Sequence, residues 1–227
     1  MNGQKRALLL VGSAKRPHST SESLGRYLLG QLAGRGYETE ALLIHRALKS
    51  DQGRGELLAA VERADLLLLA FPLYVDTLPA LVIRALEAIA ERRRDGQDSS
   101  GGRLVAIANC GFPEASHNDT ALAICRRFAA EAGFEWAGGL ALGGGQALSG
   151  RPLDQAGGMA RHAVQALDLA AAALAAGDPL PQEAVVAMGQ PIIPRRAYLW
   201  MGGLGWRLQA RKHGAARRLR ARPFDGG

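Results

Sequence analysis

An α/β fold, a parallel β-sheet covered by helices on both faces, is what this sequence predicts, and three observations predict it. Four short apolar runs, Ala7–Val11, Leu66–Phe71, Leu104–Ala108 and Gly138–Leu142, lack the alternation of half-exposed strands and read as strands buried on both sides. Segments of helical period lie between such runs, so strand and helix alternate along the chain, as βαβ units require. With 227 residues, 48% of them hydrophobic, the chain can fill one sizeable core and carry an appendage.

The elements follow in chain order. Ala7–Val11 is shorter than the apolar region of about 7–15 residues in a secretory leader, and no cleavage site follows it, so a cytoplasmic protein is expected. Leu24, Tyr27, Leu28 and Leu32 fall at i, i+3, i+4 and i+8, a helix stopped by Gly34. Tyr37–Ile44 begins with alternating polar residues and suits an edge strand. Leu78, Leu81, Val82, Ala85, Leu86 and Ile89 form a second stripe, with Pro79 expected in its first turn. Asp95–Gly102 is a polar surface loop. Ala121, Cys125, Phe128 and Ala132 form a third stripe, which ends at Gly133. Gln155–Ala176 supplies a last helix, and Pro179–Pro194 a connector. The expected organisation is one domain over residues 1–178 and a connector with a basic helical extension over 179–227.

Charge and cysteine content narrow the function classes. The net charge is +7, yet residues 188–227 hold nine basic side chains against one acid, Asp225, while residues 1–187 are nearly balanced at 19 basic and 20 acidic groups. The high pI therefore belongs to the tail and gives no reason to read the main domain as a nucleic-acid binder. No apolar run reaches the roughly 18 residues of a membrane span. Two cysteines, Cys110 and Cys125, cannot build a disulfide framework or a four-thiolate metal centre, and no metal site is expected.

In sheets of this kind ligands bind beyond the carboxyl ends of the strands, where the strand order reverses. The turn after the first strand, Gly12 to Ser23, matches neither a dinucleotide fingerprint nor a P-loop. It offers Ser13, Ser19, Thr20 and Ser21 with Lys15 and Arg16 just ahead of a helix N-terminus, where free N–H groups and a partial positive charge favour an anion such as a phosphate monoester. Ser19 and Glu22 also have the spacing of a capping box. After the third strand, Phe71-Pro72-Leu73-Tyr74-Val75-Asp76-Thr77-Leu78-Pro79 is a stiff apolar loop suited to flanking a flat ring. After the fourth, Asn109, Gly111 and His117 offer polar groups for the edge of a heterocycle, with Asn118 or Asp119 expected as the helix cap. Cys110 and His117 in that same loop also permit a thiolate–imidazole pair, for which no third, orienting residue is evident. Gly143-Gly144-Gly145 is a permissive turn after the fifth strand.

Together these loops resemble one family, the flavodoxin-like NAD(P)H-dependent FMN reductases. The matching residues are Gly12-Ser13-x-Lys15 with Ser19-Thr20-Ser21, then Pro72-x-Tyr74-x-x-x-x-Pro79 with the helix carrying Arg84 and Glu87, then the loop from Asn109 to Asn118. The resemblance spans about residues 6–176 and implies a flavodoxin-like three-layer α/β/α sandwich with a five-stranded parallel sheet in the order 2-1-3-4-5. It implies an FMN whose phosphate is held by Ser13, Lys15, Ser19, Thr20 and Ser21, whose ribityl chain and ring lie along Phe71, Pro72, Leu73, Tyr74 and Val75, and whose pyrimidine edge faces Asn109, Cys110, Gly111 and Phe112. The Asn-Gly-Ser common after the tyrosine in such reductases is Val75-Asp76-Thr77 here. The iron–sulfur branch of the family needs a cysteine cluster that this chain lacks.

The implied activity is hydride transfer from NADPH or NADH through the flavin to a small acceptor: a quinone, nitro or azo compound, metal ion or free flavin. No side chain is expected to act as acid, base or nucleophile. A homodimer and a small-molecule acceptor are the expected partners, with no nucleic acid. Two alternatives stand beside this reading. One is a non-enzymatic electron carrier of flavodoxin type, although such carriers are typically acidic. The other is tethering by the basic tail to a membrane surface, in weak contact, or to nucleic acid; the tail interleaves arginines with Tyr198, Trp200, Trp206 and Leu219, a mixture that also suits packing against the body or a second subunit.

Overall fold

The computed structural model of the protein describes residues 4–14, 18–95, 101–193, 195–219 and 221. Most of the polar loop expected over Asp95–Gly102 lies outside them. The chain divides into two compact units, Met1–Ile192 and Ile193–Gly227.

In the first unit, β1 (Arg6–Val11), β2 (Glu38–Leu43), β3 (Leu66–Pro72), β4 (Arg103–Asn109) and β5 (Glu135–Leu142) form one all-parallel sheet in the order β2-β1-β3-β4-β5. This is the order the resemblance implies. The chain steps from β1 outward to β2 and then back past β1 to β3, which puts the switch point between β1 and β3. Among the described residues, seven α-helices flank this sheet: α1 (Thr20–Ala33), α2 (Ile44–Ala47), α3 (Asp51–Arg63), α4 (Ala80–Asp95), α5 (Asp119–Glu131), α6 (Arg161–Ala176) and α7 (Gln182–Met188).

Side-chain alternation explains why the strands read as unbroken apolar runs. Leu9, Val11, Leu68, Ala70, Val105 and Ile107 pack with Leu24, Leu28 and Leu32 of α1 and with the alanine-rich face of α6. Leu8, Leu10, Leu67, Leu69, Phe71 and Leu104 pack on the opposite side with α3, α4 and α5. Along the central strands, from Ala7 to Val11, Leu66 to Phe71 and Leu104 to Asn109, each residue is thus buried whichever way it points, whereas the edge strand β2 buries none of its six.

Several boundaries differ from expectation for local reasons. Pro79 sits one residue before α4, its carbonyl accepting from Val82 and Ile83 N–H at 2.8 and 3.1 Å, so it stands at the cap rather than in the first turn. The periodicity reading passes over α3, which buries only Leu57, Ala60 and Val61 and contains two glycines. Gly53 is there for contact: a Cβ would lie 2.5 Å from the Ala47 carbonyl oxygen. Residues expected as connector also build the first unit. Leu180 N–H donates to the Ala137 carbonyl at 2.7 Å, Arg103 donates to the Asp178 carbonyl at 2.6 Å, and α7 buries Ala184, Ala187 and Met188. Together they cover the outer edge of β5; on its inner side the pairing with β4 slips at Leu104/Val105, and Gly138 of β5 takes φ +134°.

The second unit contains α8 (Arg195–Lys212), followed by a short turn at Ala216–Arg218. Among the described residues, no helix is long and apolar enough to cross a membrane.

Candidate functional site at the carboxyl edge of the sheet

The loops singled out by the sequence leave β1, β3, β4 and β5 at the same edge, and close backbone contacts lock them together. Gly12 N–H donates to the Ala70 carbonyl at 2.7 Å, and a Cβ on Gly12 would stand 2.4 Å from Val82 Cγ2 and 2.8 Å from Phe71 Cβ. Only glycine fits where the turn leaves β1. Ser13 is buried directly after it. Lys15 lies outside the described residues.

The hydroxyl groups at the start of α1 play different parts. Ser19 has extended backbone and caps the helix, its Oγ accepting from Glu22 N–H at 3.1 Å. The capping box is only half made, because the Glu22 carboxylate is engaged by Arg26 at 2.8 Å. Ser21 Oγ accepts from Asn109 Nδ2 at 2.7 Å. Thr20 instead donates its hydroxyl proton to the Gly145 carbonyl at 2.8 Å, and Ser23 donates to the Gly150 carbonyl at 2.8 Å. Ser19 and Ser21 therefore have their oxygens held by internal donors and a proton left to give, whereas Thr20 and Ser23 have used theirs. The N–H groups of Thr20 and Ser21, at the first two helical positions, have no partner among the described residues. Such a set of fixed donors favours an anion.

The β3 loop splits by burial. Phe71 is fully buried in the core, Pro72 and Leu73 are half-buried, and Tyr74 and Val75 are exposed. Tyr74 and Thr77 exchange both N–H···O bonds, at 3.0 and 3.1 Å, around a two-residue turn with Val75 at φ 49° and Asp76 at φ 58°. Positive φ at both central positions is the requirement of a type I′ turn, which Asn-Gly meets without strain and a β-branched residue does not.

Asn109 ends β4 as a buried brace. Its Nδ2 donates to Ser21 Oγ and, at 3.1 Å, to the Phe71 carbonyl, while Leu73 N–H donates to the Asn109 carbonyl at 2.8 Å. Cys110 is buried, with Sγ 3.5 Å from the Phe112 carbonyl and 3.4 Å from Asn118 Nδ2. Burial pushes its thiol pKa upward, so it stays protonated at neutral pH. His117 does not join it: the ring stacks against Phe112 at 4.4 Å and faces Glu114 at 4.0 Å. A thiolate–imidazole nucleophile is not assembled here. Asn118 makes no side-chain cap on α5, nor does Asp119 stand at the cap position, because the preceding turn is already helical and the Asn118 amide donates inward, to the Ala115 carbonyl at 2.9 Å and the Leu142 carbonyl at 3.4 Å. Phe112 and His117 are exposed at the rim.

The β5 end closes the cluster. A Cβ on Gly143 would meet the Pro113 carbonyl oxygen at 2.2 Å, and one on Gly150, which has φ +70°, the His18 carbonyl oxygen at 2.4 Å. The sequence reading picked out the first of these contacts as a triple glycine and missed the second, an isolated glycine with no local pattern. Among the described residues, no cluster of three or more metal-ligating side chains occurs.

No protein-family model matches the chain, and no curated protein sequence matches it. Among solved structures, a Trp repressor binding protein from Bacillus subtilis is similar with a TM-score of 0.54 at 15% identity, over 72% of this chain and 96% of that one. A structure described as a flavone reductase is similar with a TM-score of 0.56 at 13% identity, over 74% of this chain and 64% of that one. Together with the strand order, these likenesses identify the fold as flavodoxin-like.

Proposed function

We propose that this chain is a flavin-dependent oxidoreductase, with FMN as resident cofactor, that passes hydride from NADH or NADPH to a small acceptor. The observation that carries the reading is the donor cradle at the start of α1, beside the switch point of the sheet. Ser19 and Ser21 keep one proton each for an acceptor, the Thr20 and Ser21 N–H groups add two more donors, and the nearest carboxylate, Glu22, is engaged by Arg26. This arrangement fits the terminal phosphate of a mononucleotide. On the loops of β3 and β4, exposed Tyr74, Val75 and Phe112 supply apolar surface for a flat ring. The similarity to a structure described as a flavone reductase supports a reductase on this fold.

When bound, the flavin supplies the hydride chemistry, and the protein supplies position and environment. Ser19 and Ser21 hold the anionic end; Asn109 keeps the Ser21 oxygen in place. Thr20 acts through its backbone, since its hydroxyl ties α1 to Gly145. Tyr74, Val75 and Phe112 flank the ring and shed water from it. No side chain of the cluster is placed as acid, base or nucleophile. A second copy covering the exposed rim is part of this proposal.

The decisive experiment is the visible spectrum of the purified protein with and without added FMN, followed by NADPH consumption with a small quinone and no partner protein. A yellow protein that turns over is expected, and Ser21→Ala weakens FMN binding about tenfold, the size of one charge-assisted hydrogen bond. A protein that stays colourless with FMN, and gives no heat on titration, overturns the reading. Flavin binding without turnover would point instead to an electron carrier.

A further inference from the structure

The surface of the second unit, taken by itself, is unusual. Within and after α8, Trp200 is 70% exposed, Trp206 72% and Leu208 55%, and Leu204 and Leu219 are exposed as well. Large apolar side chains in such a concentration ordinarily mark a surface that another phase or molecule covers. Trp200, Leu204 and Leu208 follow at i, i+4 and i+8, so they rise along one side of the helix. Exposed Arg207, Arg211, Lys212, Arg217 and Arg218 stand among them. No ion pair is made by any of these five cations among the described residues. From residue 184 to residue 224 the sequence has nine Arg and Lys and no Asp or Glu.

The occupant must be negatively charged and must also reward buried hydrocarbon. A second copy of this unit meets the second demand but sets cation against cation. Nucleic acid meets the first, yet gives exposed leucines no apolar environment. An anionic lipid surface meets both: tryptophan favours the headgroup level, leucine the acyl boundary, and arginine and lysine the lipid phosphates. We propose that α8 and the turn after it form a peripheral membrane-binding element that lies on an anionic leaflet. Trp200, Leu204 and Leu208 enter the headgroup region, and Arg207, Arg211, Lys212, Arg217 and Arg218 contact the phosphates. The helix lies on the surface without spanning it, since it is too polar to cross. This proposal is independent of the flavin reading.

The test uses the full chain with vesicles of phosphatidylcholine alone or mixed with phosphatidylserine, at near-physiological salt, read by sedimentation and tryptophan emission. Retention on the anionic vesicles only, with a blue shift, is expected. The set Arg207→Gln, Arg211→Gln and Lys212→Gln weakens retention about a hundredfold, taking about 1 kcal/mol for each charge at the surface. The set Trp200→Ser, Leu204→Ser and Leu208→Ser releases the protein and removes the shift. Both sets keep the circular dichroism and melting transition of the first unit. Three results overturn the proposal: no retention on anionic vesicles, full retention by the serine set, or tighter binding to a short duplex DNA or RNA than to the vesicles.

Discussion

Cys125 lies wholly inside the layer of α3, α4 and α5, and burial pushes its thiol from the ordinary 9.0 up to about 12. A folded-state pKa above the unfolded value means that the unfolded chain releases this proton first. The thiol's contribution is therefore complete below about pH 9 and is lost as pH rises toward 12, at about 1.4 kcal/mol per pH unit. Urea midpoints measured at rising alkaline pH should fall accordingly, and Cys125→Ala should flatten that part of the slope at the cost of a small cavity. An unaltered slope in the variant would mean that another group, Tyr37 for instance, whose pKa burial also raises, dominates. At this scale the sequence showed which residues cluster but not what each does. Ser19, Thr20 and Ser21 are chemically alike, and what separates them is the destination of one proton, which is set by Gly145 and Asn109 far along the chain. Val75 was legible as a departure from Asn-Gly-Ser; that it sits at φ 49° was not.

The N-terminus of α1 combines a structural duty with the proposed ligand duty, and one position can separate them. Ser19→Ala removes the cap and should cost about 1 kcal/mol of stability, measured by urea unfolding. Ser19→Asp caps as well as serine but places a negative charge beside the proposed phosphate. Stability should be near that of the native protein while FMN affinity falls at least tenfold. If Ser19→Asp binds FMN unimpaired, the anion lies elsewhere. Helices with a dense apolar stripe, α1, α4 and α5, were legible from sequence because a 3.6-residue period is local information. The three-residue buried face of α3 was too sparse to stand out, and α7, seven residues long, is defined by what it packs against, β5 and α6, rather than by its own pattern.

Across the whole molecule, an open parallel sheet leaves two borders to manage. Residues 178–188 seal the β5 border, and the seal depends on Gly138: a Cβ there would press on Leu180 at 2.8 Å in a backbone region that favours glycine. Gly138→Ala should lower stability by about 1–3 kcal/mol and promote concentration-dependent association, checked by light scattering beside urea unfolding. A destabilised variant that stays monodisperse would show that the covering segment does not guard this border. The α/β class was readable from alternating runs because burial on both faces leaves the middles of the central strands, Ala7 to Val11, Leu66 to Phe71 and Leu104 to Ala108, without polar residues. Strand order was not, since nothing in a buried leucine run says which neighbour it takes; that came through the resemblance.

The clasps between α1 and the end of the sheet also have a bearing on biosynthesis. Thr20 and Ser23 emerge from the ribosome early, but the carbonyls they hold, those of Gly145 and Gly150, are synthesised 125 and 127 residues later. A nascent chain therefore carries the turn after β1 for most of its elongation without the braces that fix it. On the proposed reading, loading of the flavin would be deferred until the chain has been translated past Gly150.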